Sequence, residues 1–151
     1  MQIDLDLLIL QQHLRIKTAQ NKKWVFDIIR KKYLVWQPEE LVRQLLLHHL
    51  IQVKQYTKNS IQVERGLVVN TNRRRCDILI YDTNTQPFLL IECKAPSIRL
   101  NQAVFNQIAQ YNLVYQVPYL LVSNGIQNYC CQMDYDAKSF TFLESLPAAP
   151  K

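Results

Sequence analysis

The sequence predicts an α/β (α+β) fold built of strands and two helices, and three observations predict it. Residues 76–81 and 88–94 are short apolar runs flanking the polar connection Asp82-Thr83-Asn84-Thr85-Gln86-Pro87, the pattern of a β-hairpin. Residues 38–54 and about 100–115 repeat apolar side chains at helical spacing. Three later runs, 117–123, 128–133 and 139–143, have strand length and complete a sheet.

In chain order, residues 3–10 fit a short helix or a strand equally well. His13-Leu14-Arg15-Ile16-Lys17 alternates, and Gln20-Asn21-Lys22 turns into Trp24-Val25-Phe26-Asp27-Ile28, which predicts an N-terminal β-hairpin. Arg30-Lys31-Lys32 reads either as a phosphate-contacting patch or as a solvated edge that blocks strand pairing. Pro38 opens a helix over 38–54, with Glu39 and Glu40 at the positive end of its dipole. Its inner stripe is Val42, Leu45, Leu46 and Val53, widened by Leu41, Leu47, Leu50 and Ile51. If one acid of the first turn reaches inward, the spacing favours Glu39; the alternative is two surface acids. His48 and His49 lack a partner at i+4 and read as one partly buried and one exposed helix histidine.

Residues 61–69 predict a further strand, bent at Gly66, and Asn70-Thr71-Asn72 a turn. Arg73-Arg74-Arg75 then leads into the hairpin. After Lys94, Ala95-Pro96-Ser97 ends the strand, and the helix over 100–115 carries Val104, Ile108 and Tyr111 inward with Gln107 one turn before Tyr111. Residues 117–123 form a buried strand, and Asn124-Gly125 is a strong turn signal.

Length and composition narrow the class. The 151 residues suit one domain, with an N-terminal extension (1–25), a core (26–143) and a tail (144–151). A formal net charge of +6 favours an anionic partner, nucleic acid first. Four cysteines without CxxC spacing, two of them adjacent, fit neither a zinc site nor a disulfide framework, so reduced thiols and a cytoplasmic setting are expected. No run of residues has the length and apolarity of a membrane span, and acids stand where a signal peptide would carry lysines.

The chemistry concentrates in the hairpin. Asp77, Glu92 and Lys94 are charged groups within apolar strands, and alternation puts Glu92 and Lys94 on one face with Cys93 on the other. A divalent metal satisfies such a set, because hard cations take carboxylate and carbonyl oxygens while an ammonium holds water or phosphate. Three arginines just before an acidic site make sense if the substrate is polyanionic.

The ordered set of Glu39 on a first helix, Asp77, Glu92-x-Lys94 and Gln107-x-x-x-Tyr111 resembles the PD-(D/E)XK nuclease superfamily. In particular, it resembles the small N-terminal nuclease domain of type I restriction enzyme R subunits. The likeness covers roughly residues 26–143 and is carried by Pro38-Glu39-Glu40-Leu41-Val42-Arg43-Gln44, Cys76-Asp77-Ile78-Leu79-Ile80-Tyr81-Asp82 and Leu90-Ile91-Glu92-Cys93-Lys94-Ala95-Pro96. The resemblance implies a restriction-endonuclease-like core, a central mixed sheet flanked by helices, with Mg2+ (or Mn2+) at one end. Asp77, Glu92 and the backbone carbonyl of Cys93 would hold the metal, Lys94 would orient the attacking water or stabilise developing charge, and Glu39 would lie nearby. Gln107 and Tyr111 would match an element beside the site that is associated with the nucleic acid. Cys76 replaces the eponymous proline, and the chain carries no helicase or translocase motor, which would be encoded separately with any specificity subunit.

The function expected on these grounds is a magnesium-dependent deoxyribonuclease, an endonuclease of restriction or repair type. Arg73, Arg74, Arg75, Lys31 and Lys32 are its candidate contacts to DNA. The alternative is a nucleic-acid-binding or assembly module that keeps the fold without cleaving. A third reading is a basic domain with a structural Asp–Lys–Glu cluster.

Overall fold

The computed structural model describes residues 2–64, 66–69, 72–75 and 77–151, with the side chains at 66–69, 72–75, 111 and 114 outside the description. The chain is α+β. Among the described residues, strands β1 (Ile16–Ala19), β2 (Lys22–Asp27) and β3 (Lys32–Val35) form an antiparallel three-stranded sheet. The N-terminal hairpin is present, and β3 extends it. The undecided first segment is a 3-10 helix, Leu7–His13, and it absorbs His13 from the expected strand.

Helix α1 (Pro38–His48) comes next, with β4 (Ile61–Val63), β5 (Gly66–Val69), β6 (Asn72–Arg75), β7 (Ile78–Tyr81) and β8 (Pro87–Cys93) after it. Helix α2 (Gln102–Asn112) then leads to β9 (Tyr119–Ser123), β10 (Asn128–Asp134) and β11 (Ser139–Phe142). The main sheet has the order β11-β10-β9-β8-β7-β4. It is mixed: β8 and β9 run parallel, as a crossover through α2 requires, and the other neighbours are antiparallel. The single strand expected over 61–69 is two strands in two sheets, since β5 leaves β4 at Gly66 and pairs with β6. Asn70 and Thr71 of the expected turn lie outside the described residues.

Period-2 alternation divides the core. Leu89, Ile91 and Cys93 of β8 face one layer with Val42, Leu45 and Leu46 of α1. Leu90 faces the other, with Phe105 and Ala109 of α2. The inner face of α2 is therefore centred one position beyond the expected Val104 and Ile108, which are only half-buried; Phe105 stacks among Tyr129, Phe140 and Phe142. Asn101 caps this helix, its side-chain oxygen accepting the Val104 N–H at 2.9 Å.

Beyond His48, α1 continues as a π-helical turn, His49–Val53, closed by the Lys54 N–H on the His49 carbonyl at 3.1 Å. The extra residue in that turn rotates the end of the helix, so Val53, expected inside, is 54% exposed. The same turn buries both histidines, which corrects the expectation of an exposed one. His48 stacks on His13 and its Nδ1 meets the Gln52 amide at 2.9 Å, whereas both ring nitrogens of His49 lack a partner among the described residues.

Burial lowers both histidine pKa values from 6.5, with Lys54 adding to the effect at His49, and His13 and Lys58 at His48. A folded-state pKa below the unfolded one means the unfolded chain takes up protons first. Stability is thus complete above about pH 6.5 and is expected to fall as pH drops below it. Denaturant unfolding between pH 7.5 and 5.0 should show this slope, and the double variant His48→Gln/His49→Gln should flatten it.

Gly125 occupies the turn between β9 and β10 at φ +92°, where an added Cβ would meet Val42 Cγ2 at 3.2 Å. Gly125→Ala is expected to lower stability by about 1–3 kcal/mol through that backbone strain, read as a lower Tm. The matching loss would be absent for Ala substitution at exposed Gln102.

Candidate metal-dependent site

The site forms where β7 begins and β8 ends. The register that sets Ile78 opposite Ile91 leaves Asp77 and Glu92, each one position beyond that pair, at the same end of the hairpin. Asp77 lies in a bend before β7, so its side chain is free to turn along the sheet edge. Its Oδ2 accepts the Cys93 N–H at 2.7 Å, which ties the acid to the Glu92-x-Lys94 segment. A strand residue presents its N–H and C=O to the same side, so the Cys93 carbonyl lies toward Asp77 as well. Glu92 is buried and Lys94 half-buried; the Lys94 N–H is held by the Ser123 carbonyl of the parallel neighbour at 2.8 Å.

Helix α1 supplies a further acid, and it is Glu40. Glu39, expected to be the inward one, is exposed, while Glu40 is 8% exposed. One helical position is about 100° of rotation, and Glu40 stands three and four positions before the buried Arg43 and Gln44, on the face that both of them share. Glu40 Oε1 accepts Arg43 Nη1 at 2.7 Å, and Glu40 Oε2 accepts the Gln44 amide at 3.1 Å. Arg43 Nη2 reaches Asp77 Oδ1 at 3.2 Å.

A second guanidinium enters from the N-terminal sheet. Arg30 bonds Asp27 through Nε at 2.7 Å, Glu64 through Nη1 at 3.1 Å and Glu40 through Nη2 at 3.4 Å. Arg43 Nη1 also stands 3.5 Å from Glu64. Asp27, with no exposed surface, accepts the backbone N–H groups of Ile29 and Arg30 at 2.8 Å each, which fixes the turn that aims Arg30. Arg30 is thus neither a free phosphate contact nor a solvated edge, because its side chain is spent on three acids. Lys31 and Lys32 are exposed.

Two groups show the field of this cluster. Burial alone would lower the Arg43 pKa, but Glu40, Cys93, Asp77 and Glu64 together raise it, so the guanidinium stays charged. The Cys93 thiol is pushed well up, first by burial and then by Asp77, and remains protonated and unreactive. Cys93, Cys130 and Cys131 are buried and free; Cys76 lies outside the described residues.

The other candidates sit further out. Gln107 is on the exposed side of α2, and the side chain of Tyr111 lies outside the description. Arg73, Arg74 and Arg75 belong to β6, paired with Val68, Leu67 and Gly66; their side chains are likewise outside the description. The residue pattern does not single out Glu40, Arg43 and Gln44 as site residues, or Arg30 as an ion-pair partner. The i,i+3 and i,i+4 spacing of Glu40 to Arg43 and Gln44 is nonetheless the signal of a helical polar cluster.

With this geometry in place, comparison of the chain with protein families shows that residues 38–147 fit the model for the type I restriction enzyme R protein N terminus. The chain belongs to this family. The match begins at α1, so Arg30 and the β1–β3 sheet lie outside the matched residues, yet Arg30 pairs with Glu40 and Glu64 inside them. Comparison with curated proteins gives no match. No helix among the described residues is long and apolar enough to cross a membrane.

Proposed function

We propose that this R-protein N-terminal domain is a metal-dependent nuclease that hydrolyses phosphodiester bonds of DNA at Asp77, Glu92 and Lys94. The observation that carries the reading is the 2.7 Å bond from the Cys93 N–H to Asp77, which supports one shared site for the acid and the Glu92-x-Lys94 strand. The donor chemistry fits a hard cation: two carboxylates and a backbone carbonyl are what Mg2+ or Mn2+ takes, the remaining positions being water. Asp77, Glu92 and the Cys93 carbonyl would hold it, with Glu40, in place of Glu39, as the acid behind them.

When bound, the ion supplies polarisation of a phosphoryl oxygen and a water of lowered pKa. The remaining work falls to the protein. The Lys94 ammonium, anchored through its backbone to β9, would hold the attacking water and offset the charge that builds on the phosphoryl oxygens as the new P–O bond forms and the ester bond breaks. Lys31, Lys32 and the Arg73-Arg74-Arg75 run would draw the phosphate backbone, and Gln107 and Tyr111 would border its path. Strand separation or translocation would come from motor or specificity elements beyond this domain.

A non-cleaving DNA-binding or assembly module is the second reading. It is favoured by the engagement of both Asp77 oxygens, by Arg43 and the Cys93 N–H, and by the lack, among the described residues, of three acidic, histidine or cysteine side chains grouped to hold a metal. Incubation with labelled linear, circular and single-stranded DNA, with Mg2+, Mn2+ or chelator, separates the two. Metal-dependent cleavage supports the nuclease. Salt-sensitive binding without turnover in either metal supports the module.

A further inference from the structure

We propose that Arg43 is a positioning residue that serves as the internal counter-ion of Asp77 and Glu40 and competes with the divalent cation for them. This rests on the metal-dependent reading of the site. The side chain is 7% exposed and bridges Glu40, Glu64 and Asp77 at 2.7, 3.5 and 3.2 Å. Those acids come from α1, the end of β4 and the start of β7, so one guanidinium ties three elements together at the site.

The engagement of both Asp77 oxygens favours competition over simple reinforcement: Arg43 holds Oδ1 at 3.2 Å and the Cys93 N–H holds Oδ2 at 2.7 Å. A cation that takes Asp77 must share it with a fixed positive charge 3.2 Å away, and in a partly desolvated site that repulsion is strong. The arginine therefore holds the acids apart and in place before metal arrives, and its contact to Asp77 loosens as metal binds. Gln44 adds a second sign: it is fully buried, gives its amide to Glu40, and leaves its Oε1 without a partner among the described residues. An acceptor left open beside Glu40 suits a metal-bound water as donor.

If Arg43 only cemented the site, removing it would loosen Asp77 and weaken cation binding. Competition predicts the reverse sign. The test is Mg2+ and Mn2+ titration without nucleic acid, by calorimetry and by the metal-induced rise in Tm, on wild type, Arg43→Gln and Asp77→Asn. Arg43→Gln is expected to bind at least about tenfold more tightly than wild type, and Asp77→Asn at least about tenfold more weakly. Equal or weaker binding by Arg43→Gln overturns the proposal while the metal reading stands. Wild-type binding that ignores Asp77→Asn removes the metal site itself, and this inference with it. Should Arg43→Gln fail to fold, nitrogen NMR of wild-type arginine side chains decides, with Arg43→Lys for assignment. Saturating Mg2+ is expected to shift the Arg43 signals and speed their proton exchange; unchanged signals under calorimetrically saturating metal overturn the proposal.

Discussion

Glu92→Ala is expected to abolish DNA cleavage in Mg2+, and Lys94→Ala to lower it by about 10²–10³-fold or more, while both proteins still melt cooperatively. The difference follows from the role of each group. Glu92 would be one of only two carboxylates for the ion, and an octahedral cation that keeps most of its waters tolerates little loss of anionic donor. Lys94 would act on charge that develops in the transition state, so its removal leaves ion binding in place and slows the chemistry. Asp77→Ala is expected to abolish cleavage too, but with a separate loss of about 1–3 kcal/mol of stability, because it strips the Cys93 N–H and Arg43 of their acceptor. Initial rates on linear DNA, set beside Tm for each variant, separate the two effects. Full activity in Glu92→Ala or Lys94→Ala would remove this site from consideration.

The hairpin was legible because its signals are local. Apolar runs of strand length around a polar connection fix pairing, and alternation assigns Ile91 and Cys93 to one face and Leu90 to the other. The parallel β8–α2–β9 crossover follows from the same reading, since a strand, a helix and a buried strand in succession leave little else. The site's surroundings were less legible for a reason of reach. Arg30 meets Glu40 across ten residues and Glu64 across thirty-four, and no spacing rule spans such distances. A cation beside basic neighbours reads as a solvated patch until the acids it touches are placed.

Errors at helix faces have a related origin. Choosing between Glu39 and Glu40 needs the rotational phase of α1, and adjacent positions differ by about 100°, so a stripe eight residues wide leaves either side open. Val53 and His49 leave their expected faces because regular α-helical turns stop short of residue 54, where the π-turn inserts a residue. Composition does not announce such a turn. The turn buries two histidines, of which His48 stacks on His13, a cost that emerges only as acid sensitivity of the folded state.

Ile91→Ala is expected to destabilise the protein by about 3 kcal/mol, within the roughly 2–5 kcal/mol range for aliphatic truncation in a core. Ile91 has no exposed surface, sits in the central strand beneath α1, and pairs with Ile78 on one side and Leu121 on the other. Three rigid neighbours limit how far the cavity can collapse, so the loss should exceed that of Ile61→Ala near the sheet edge. For a chain of this size the Tm should fall by roughly 6–12 °C. Because alternation turns Glu92 to the face of β8 opposite Ile91, any effect of Ile91→Ala on cleavage should track the folded fraction and vanish when rates are measured well below Tm. A residual rate defect in fully folded Ile91→Ala would instead mean that the position of Glu92 depends on packing beneath the neighbouring residue. In that case strand β8 would be sensed at the site as a unit.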